Sequence, residues 1–279
     1  MCFHISHFFP TFAAKSTSVM KIKEIIDALE RFAPLPLQDG FDNAGLQLGL
    51  TETEATGALL CLDVTEEVLD EAEALGLNLV VSHHPLIFHG LKSLTGRTPV
   101  ERCVMKAICN GITIYAAHTN LDNAPGGVNF KMAEKIGLTD VHFLQPCGDG
   151  RQGGSGIIGL LEEPETETGF LRRIKKTFEV ACVEHTRLCG REIRKVALCG
   201  GAGAFLIPQA VSAGADVFLT GEIKYHEFQG HGEDILLASL GHFESEQYTV
   251  ELLEEIIKGA CPQLPVRQTR VSTNPIRYM

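Results

Sequence analysis

No stretch of this chain reaches the roughly 18 to 20 consecutive apolar residues that a membrane-spanning helix requires, so no membrane partner is expected. Positive charge is also scarce. Lys and Arg number 24 against 35 Asp and Glu, a formal charge of -11. That balance disfavours nucleic acid as the main partner, because phosphate binding needs a concentrated basic surface. The nine cysteines contain no Cys-x-x-Cys pair. Their scatter, with Cys61 and Cys199 inside apolar runs, reads as small core residues in a reducing compartment, not disulfides or thiolate zinc sites. Tryptophan is absent, which excludes nothing.

The composition that is present, 44% hydrophobic and 21% charged over 279 residues, suits a globular protein of one large or two ordinary domains. Residues 1–19 read as a disordered tail. It lacks a cationic start, and His4, His7 and Pro10 interrupt its apolar stretch, so it does not fit a signal peptide. Met20 opens an amphipathic helix and is a candidate initiator. A cytoplasmic location is expected.

From Met20 on, Ile22, Ile25, Ile26, Leu29 and Phe32 recur at helical spacing until Pro34 and Pro36 stop them. Strand patterns at 46–48, 58–62, 77–81 and 112–116 then alternate with helix patterns at 65–75 and 100–110. This rhythm predicts an α/β fold with a largely parallel, buried sheet and helices outside it. The second half repeats the plan: Cys61 and Gly76 frame one helix, Cys199 and Gly214 the other, at equal separation. An internal duplication follows, with one α/β repeat over residues 20–143 and another over 144–279. Between them the glycine-dense segment 148–156 lacks the context of a phosphate-binding loop and predicts a mobile hairpin or a junction. Gly200-Gly201-Ala202-Gly203 is weak as a dinucleotide motif and reasonable as a tight turn approached by other groups.

The chemistry concentrates at three places. Ser82-His83-His84-Pro85 ends one apolar run, and two others lead to His118-x-x-x-Asp122 and His242-x-x-x-Glu246. Residues four apart share a helix face. In an α/β sheet such groups gather at the carboxyl ends of strands. Imidazoles and carboxylates without thiolate suit borderline to hard divalent ions, so a metal site is expected, with room for two ions. Adjacent imidazoles on a strand point opposite ways, so His83 and His84 can each serve a different ion if the chain bends at Pro85. Asp122 or Glu246 can bridge. Two ions about 3.5 to 4 Å apart sharing a hydroxide are hydrolytic machinery. His118 either ligates or orients a ligand from behind, the second being favoured because other donors suffice. Lys92 and His89 sit where an anionic substrate can be bound. Lys224-Tyr225-His226 follows another strand end, and His226 is a candidate proton shuttle.

These segments carry a resemblance. Ser82 to Phe88, Ala117 to Asn129, Thr220 to His226 and Gly241 to Glu246, with Phe41-Asp42-Asn43-Ala44-Gly45-Leu46-Gln47, resemble the GTP cyclohydrolase 1 type 2 homologs, also called dinuclear-metal-centre hexameric proteins. The resemblance spans Met20 to about Glu255 and fits the short form without an inserted domain. It implies two intertwined α/β repeats, a toroidal homohexamer, and a dinuclear site ligated by His83, His84, Asp122, His242 and Glu246, with Glu246 bridging. Glu222 stands where the family more often has Asp.

The expected function is that of a metal-dependent hydrolase using two divalent cations, from among Zn, Fe, Mn, Ni and Mg, on a small phosphate- or nucleotide-like molecule. The alternative is a non-catalytic metal-binding or regulatory ring.

Overall fold

The computed structural model describes residues 20–148, 150–231, 234–277 and 279; the tail expected over residues 1–19 lies outside the described residues. The chain begins with α1 (Ile22–Phe32), whose Ile22, Ile25, Ile26 and Leu29 are buried on one face. There follow β1 (Gly45–Leu48), β2 (Ala58–Cys61), α2 (Glu66–Ala74), β3 (Leu79–Ser82), α3 (Pro99–Cys109) and β4 (Thr113–Ala116). Thr65 and Thr98 cap α2 and α3, each accepting from a backbone N–H three residues on that the helix leaves unpaired. The middle of the chain forms α4 (Thr119–Asp122), α5 (Val128–Ile136), β5 (Thr139–Pro146), β6 (Gly154–Thr166) and α6 (Glu167–Thr177). The remainder forms β7 (Glu184–His185), β8 (Glu192–Cys199), α7 (Ile207–Ser212), β9 (Val217–Thr220), β10 (Leu236–Ser239), α8 (His242–Glu246), α9 (Thr249–Ala260) and β11 (Val266–Gln268).

Two sheets result, ordered β1-β4-β3-β2-β11 and β5-β6-β8-β9-β10-β7. Each contains three parallel strands built to the same register, β2-β3-β4 and β8-β9-β10, and in the first sheet β11 extends the parallel run to a fourth. In the first, Cys61 pairs with Ser82 and Ser82 with Ala116; in the second, Cys199 pairs with Thr220 and Thr220 with Ser239. Gly76 after α2 and Gly214 after α7 share φ +68°, a left-handed conformation that only glycine adopts cheaply. The echo in the sequence is thus an echo in space. The second sheet is more antiparallel than the rhythm predicts, because β5 and β6 form a long hairpin. Its turn is the glycine-dense segment, closed by Pro146 opposite Gly154.

Strands β2, β3 and β4 are buried at every position. That is why they read as continuous apolar runs: helices cover both faces. Leu60, Leu79, Val81 and Tyr115 face α1 and α9, whereas Leu59, Cys61, Val80 and Ile114 face α2 and α3. The second sheet is covered likewise, by α5 and α6 on one face and α7 on the other. Helix α9 and β11, from the end of the chain, return to the first sheet, so the two halves are intertwined. Cys61, Cys103, Cys199 and Cys261 sit in the core as expected, but Cys109, Cys182 and Cys189 are exposed. Among the described residues no helix is long and apolar enough to cross a membrane.

Candidate metal centre

The carboxyl ends of the two parallel units meet. His83 and His84 follow β3, His118 follows β4 and begins α4, and His242 and Glu246 open and close α8 after β10. One helical turn separates His242 from Glu246, so both face the same way, Nε2 to Oε2 at 3.1 Å. His83 and His84 do not diverge as strand neighbours would. The strand ends at Ser82, whose hydroxyl donates to the His84 carbonyl at 2.8 Å, and this turn holds the two rings with centroids 5.0 Å apart.

The four imidazoles are oriented by one rule. His83 Nδ1 lies 2.8 Å from the Ala117 carbonyl, which can only accept, so Nδ1 carries the proton and Nε2 keeps its lone pair. His84 Nδ1 engages Asp63 at 2.8 Å, His118 Nδ1 engages Asp42 at 2.7 Å, and His242 Nδ1 engages Glu222 at 3.0 Å. Each ring is thus held from behind at Nδ1, the arrangement that fixes metal-ligating histidines. The imidazole nitrogens of His83, His84 and His118 form one close group within 4.8 Å, and His84, His242 and Glu246 form another. His118, expected mainly behind the ligands, thus lies where it could also donate to a metal, with Asp42 behind it.

Glu246 connects the groups. Its Oε2 is 3.0 Å from His84 Nε2, and its Oε1 is 3.7 Å from His83 Nε2. Asp122 Oδ1 is also 3.7 Å from that nitrogen. His83 Nε2 is fully buried and has no hydrogen-bond partner. A buried polar atom without a partner is costly, and here it points at two carboxylates across a gap too wide for a hydrogen bond. Gly201, at φ +59°, lets the Glu246 carboxylate approach, since a Cβ there would overlap Oε1. Nitrogen and carboxylate donors around an unsatisfied nitrogen fit a divalent cation.

Protons respond to the same field. Burial opposes charge on His84, but its hydrogen bonds to Asp63 and Glu246 prevail and raise it to about 10. The hydrogen bond to Glu246 raises His242 to about 9. His83 is also raised, against burial, by Asp122 and Glu246. Burial and the neighbouring Glu246 push Asp122 up to about 6 despite the nearby imidazoles. Glu246 is held well below the usual carboxylate range, its burial outweighed by His83, His242 and His84. At His84 and His242 protons stand where a cation would supply the charge.

A cavity of about 470 Å³ opens onto His84, His118, Asp122, His242 and Glu246. Its walls include Asp39, Asn123 and Asn129, with exposed Phe41, Phe88 and Phe205 also lining it. Two residues singled out in the sequence are not brought there. Lys92 is exposed in the loop between β3 and α3, and His226 is exposed on the short 3-10 turn Tyr225–Phe228; neither lines the cavity. His89 touches Phe88 in the same loop, with ring centroids 5.1 Å apart. Asp63 carries no functional pattern of its own in the sequence, and Asp42 is marked there only as part of the Phe41-to-Gln47 segment. The parallel register was the available signal for Asp63: Cys61 opposite Ser82 sets Asp63 beside His84. Asp42 reaches its partner from 76 positions away, and no local pattern announces that.

The family description Duf34/NIF3 (NGG1p interacting factor 3) matches residues 20–275. A GTP cyclohydrolase 1 type 2 homolog of Clostridium perfringens is 34% identical over 242 residues, covering 86% of this chain and 92% of that protein. A namesake in Lactococcus lactis is 31% identical over 92% of this chain and 98% of its own length. Among solved structures, a Bacillus cereus protein related to NIF3 superposes with a TM-score of 0.86 at 26% identity, covering 94% of this chain and all of that one. With a family match over residues 20–275 and relatives above 30% identity, this chain belongs to the Duf34/NIF3 family.

Proposed function

We propose that the protein binds two divalent cations per chain and hydrolyses a small phosphate- or nucleotide-like substrate. The observation that carries the reading is the division of Glu246: one carboxylate oxygen faces His83 and the other engages His84 and His242. One half-site would comprise His83, Asp122 and Glu246 Oε1, with His118 beside it. The other would comprise His84, His242 and Glu246 Oε2. Two such ions, when bound, supply Lewis acidity and acidify a water between them. The chain's own contribution is orientation, through the Nδ1 contacts, and a cavity of about 470 Å³ that admits a small molecule to the donors. That opening favours catalysis over storage, since a storage site closes its coordination with protein ligands. Among the described residues the cavity lining contains no Lys or Arg, so a substrate phosphate would be neutralised by the cations themselves. The relatives' name mentions a GTP cyclohydrolase, which agrees with a nucleotide substrate. A homohexameric ring in the cytoplasm belongs to the same proposal, and light scattering checks its oligomeric part.

The test is elemental analysis of the purified protein and its Glu246→Ala variant, followed by a screen of phosphoesters and nucleotides with the metal found. About two metals per chain, lost in the variant together with hydrolysis, is the expected result. Two metals and no hydrolysis would leave a non-catalytic metal-binding ring; no metal, even after reconstitution, would overturn the site.

A further inference from the structure

The segment after β11 crosses the outer side of the metal centre and touches both halves of it. Val266 pairs with Ala58 on β2, and Thr269 N–H donates to the Leu60 carbonyl at 2.9 Å, so the segment leaves the first sheet firmly anchored. Arg270 N–H then donates to Glu71 on α2 at 3.1 Å, and Val271 packs against the core beneath α2 and α3. Two residues further, the Thr273 hydroxyl donates to Asp63 Oδ2 at 2.9 Å. The other oxygen of that carboxylate, Oδ1, is the one that holds His84 Nδ1. The next side chain, Asn274 Nδ2, donates to Glu244 Oε1 at 2.9 Å. Glu244 lies on α8 between His242 and Glu246, buried, and its Oε2 has no partner, so Asn274 satisfies the one oxygen that is satisfied.

We propose that Thr273 is a positioning residue for His84, acting through Asp63, and that with Asn274 it forms a strap that fixes the two halves of the metal centre relative to each other. The inference rests on the metal reading above. An aspartate with only one oxygen engaged can rotate about its terminal torsion, and the imidazole it holds follows. A hydroxyl on the second oxygen fixes the carboxylate plane and hence the ring. Asp63 is 38% exposed at its side chain, so water can replace a lost hydroxyl in hydrogen bonding but not in direction. Asn274 does the corresponding work on α8, whose two donors must meet His84 across the junction of the sheets. His84 Nε2 and His242 Nε2 are 3.4 Å apart, and no strand pairing joins the elements that carry them.

The experiment compares the parent with Thr273→Val, which keeps the shape and loses the donor, and Thr273→Ser, which keeps the donor. Zn²⁺ affinity is read by competition with a chromophoric chelator, and geometry by the visible spectrum of the Co²⁺-loaded protein. The expected result is that Thr273→Val weakens Zn²⁺ binding about tenfold, the lower end of what losing a supporting partner costs, and alters the Co²⁺ bands. Thr273→Ser should restore both, and thermal unfolding of the three metal-free proteins should coincide. Parent-like affinity and spectrum in Thr273→Val would overturn the inference, as would equal weakening in both variants, which would mean packing alone. A parent that binds neither Zn²⁺ nor Co²⁺ would overturn the metal reading instead, and the strap with it.

Discussion

Glu246 Oε1 lies 3.7 Å from the unpartnered Nε2 of His83, a separation that no hydrogen bond spans and that a shared cation would close. In the metal-free protein the same carboxylate is the chief support for charge on His242 and, with Asp63, a support for charge on His84. Glu246→Gln should therefore lower the pKa values of His84 and His242 from about 10 and about 9, each by about 1 to 3 units, because an anionic hydrogen-bond partner is lost. NMR titration of the imidazole carbons in metal-free protein measures this. Unchanged values would mean that Asp63 and Glu222 alone hold the protons.

Those raised pKa values set the pH dependence of metal binding. Ligation needs neutral imidazole, so a cation must displace protons that His84 and His242 retain up to about pH 10 and about pH 9. Apparent affinity should climb with pH by up to about a hundredfold per unit between pH 7 and 9, one decade per proton released. The metal-free fold should behave in the opposite sense. For groups whose folded pKa is raised, the stabilising contribution is complete below the ordinary histidine value of 6.5 and fades as pH rises through 9 to 10. Calorimetric metal titrations and thermal melts across that range check both slopes.

Gly201 and Gly214 separate strain from chemistry. Both have left-handed φ, +59° and +68°, so the backbone cost of Ala is similar at either, about 1 kcal/mol, and the overlap at Gly201 adds to it. Only at Gly201 would the added Cβ meet Glu246 Oε1; at Gly214 the nearest atom is the mobile end of Lys195 at 3.9 Å. Gly201→Ala should lose metal as well as stability, and Gly214→Ala stability alone. Equal metal content in both would show that Glu246 can give way.

Much of this was legible in the chain. The βαβ rhythm, the paired Cys–Gly spacings and the two His-x-x-x-acid units come from local periodicity, which the fold preserves. The antiparallel half of the second sheet was not legible, because hairpin pairing between β5 and β6 is set by partners and not by either strand alone. The same holds for the contacts behind the rings. Asp42, Asp63 and Thr273 meet their partners across 76, 21 and 210 positions, distances at which only tertiary structure speaks. Lys92 is close to the site in sequence and His226 follows a strand end that echoes the one before His83, but their loops turn both outward to solvent. Lys92→Ala and His226→Ala should accordingly leave metal content unchanged.

Asp42 offers the sharpest separation of fold from function. Its fully buried carboxylate accepts from His118 Nδ1 at 2.7 Å and from Thr119 N–H at 3.1 Å, and Thr119 Oγ1 also donates to it. Burial would raise it, but the bonds from His118 and Thr119 prevail and hold it at about 2, against an ordinary 3.8. Asp42→Ala strands these donors and should destabilise the metal-free protein by about 3 kcal/mol at pH 7. A depressed acid contributes stability above its unfolded pKa and loses it as pH falls through its folded one. The gap between parent and variant should thus be constant from pH 7 to 5 and shrink by about 1 kcal/mol by pH 3, the amount a shift from 3.8 to about 2 has released there. Urea unfolding at those three pH values measures it. A gap that stays constant to pH 3 would mean that Asp42 holds α4 by shape and not by charge, and that His118 is oriented by its surroundings alone.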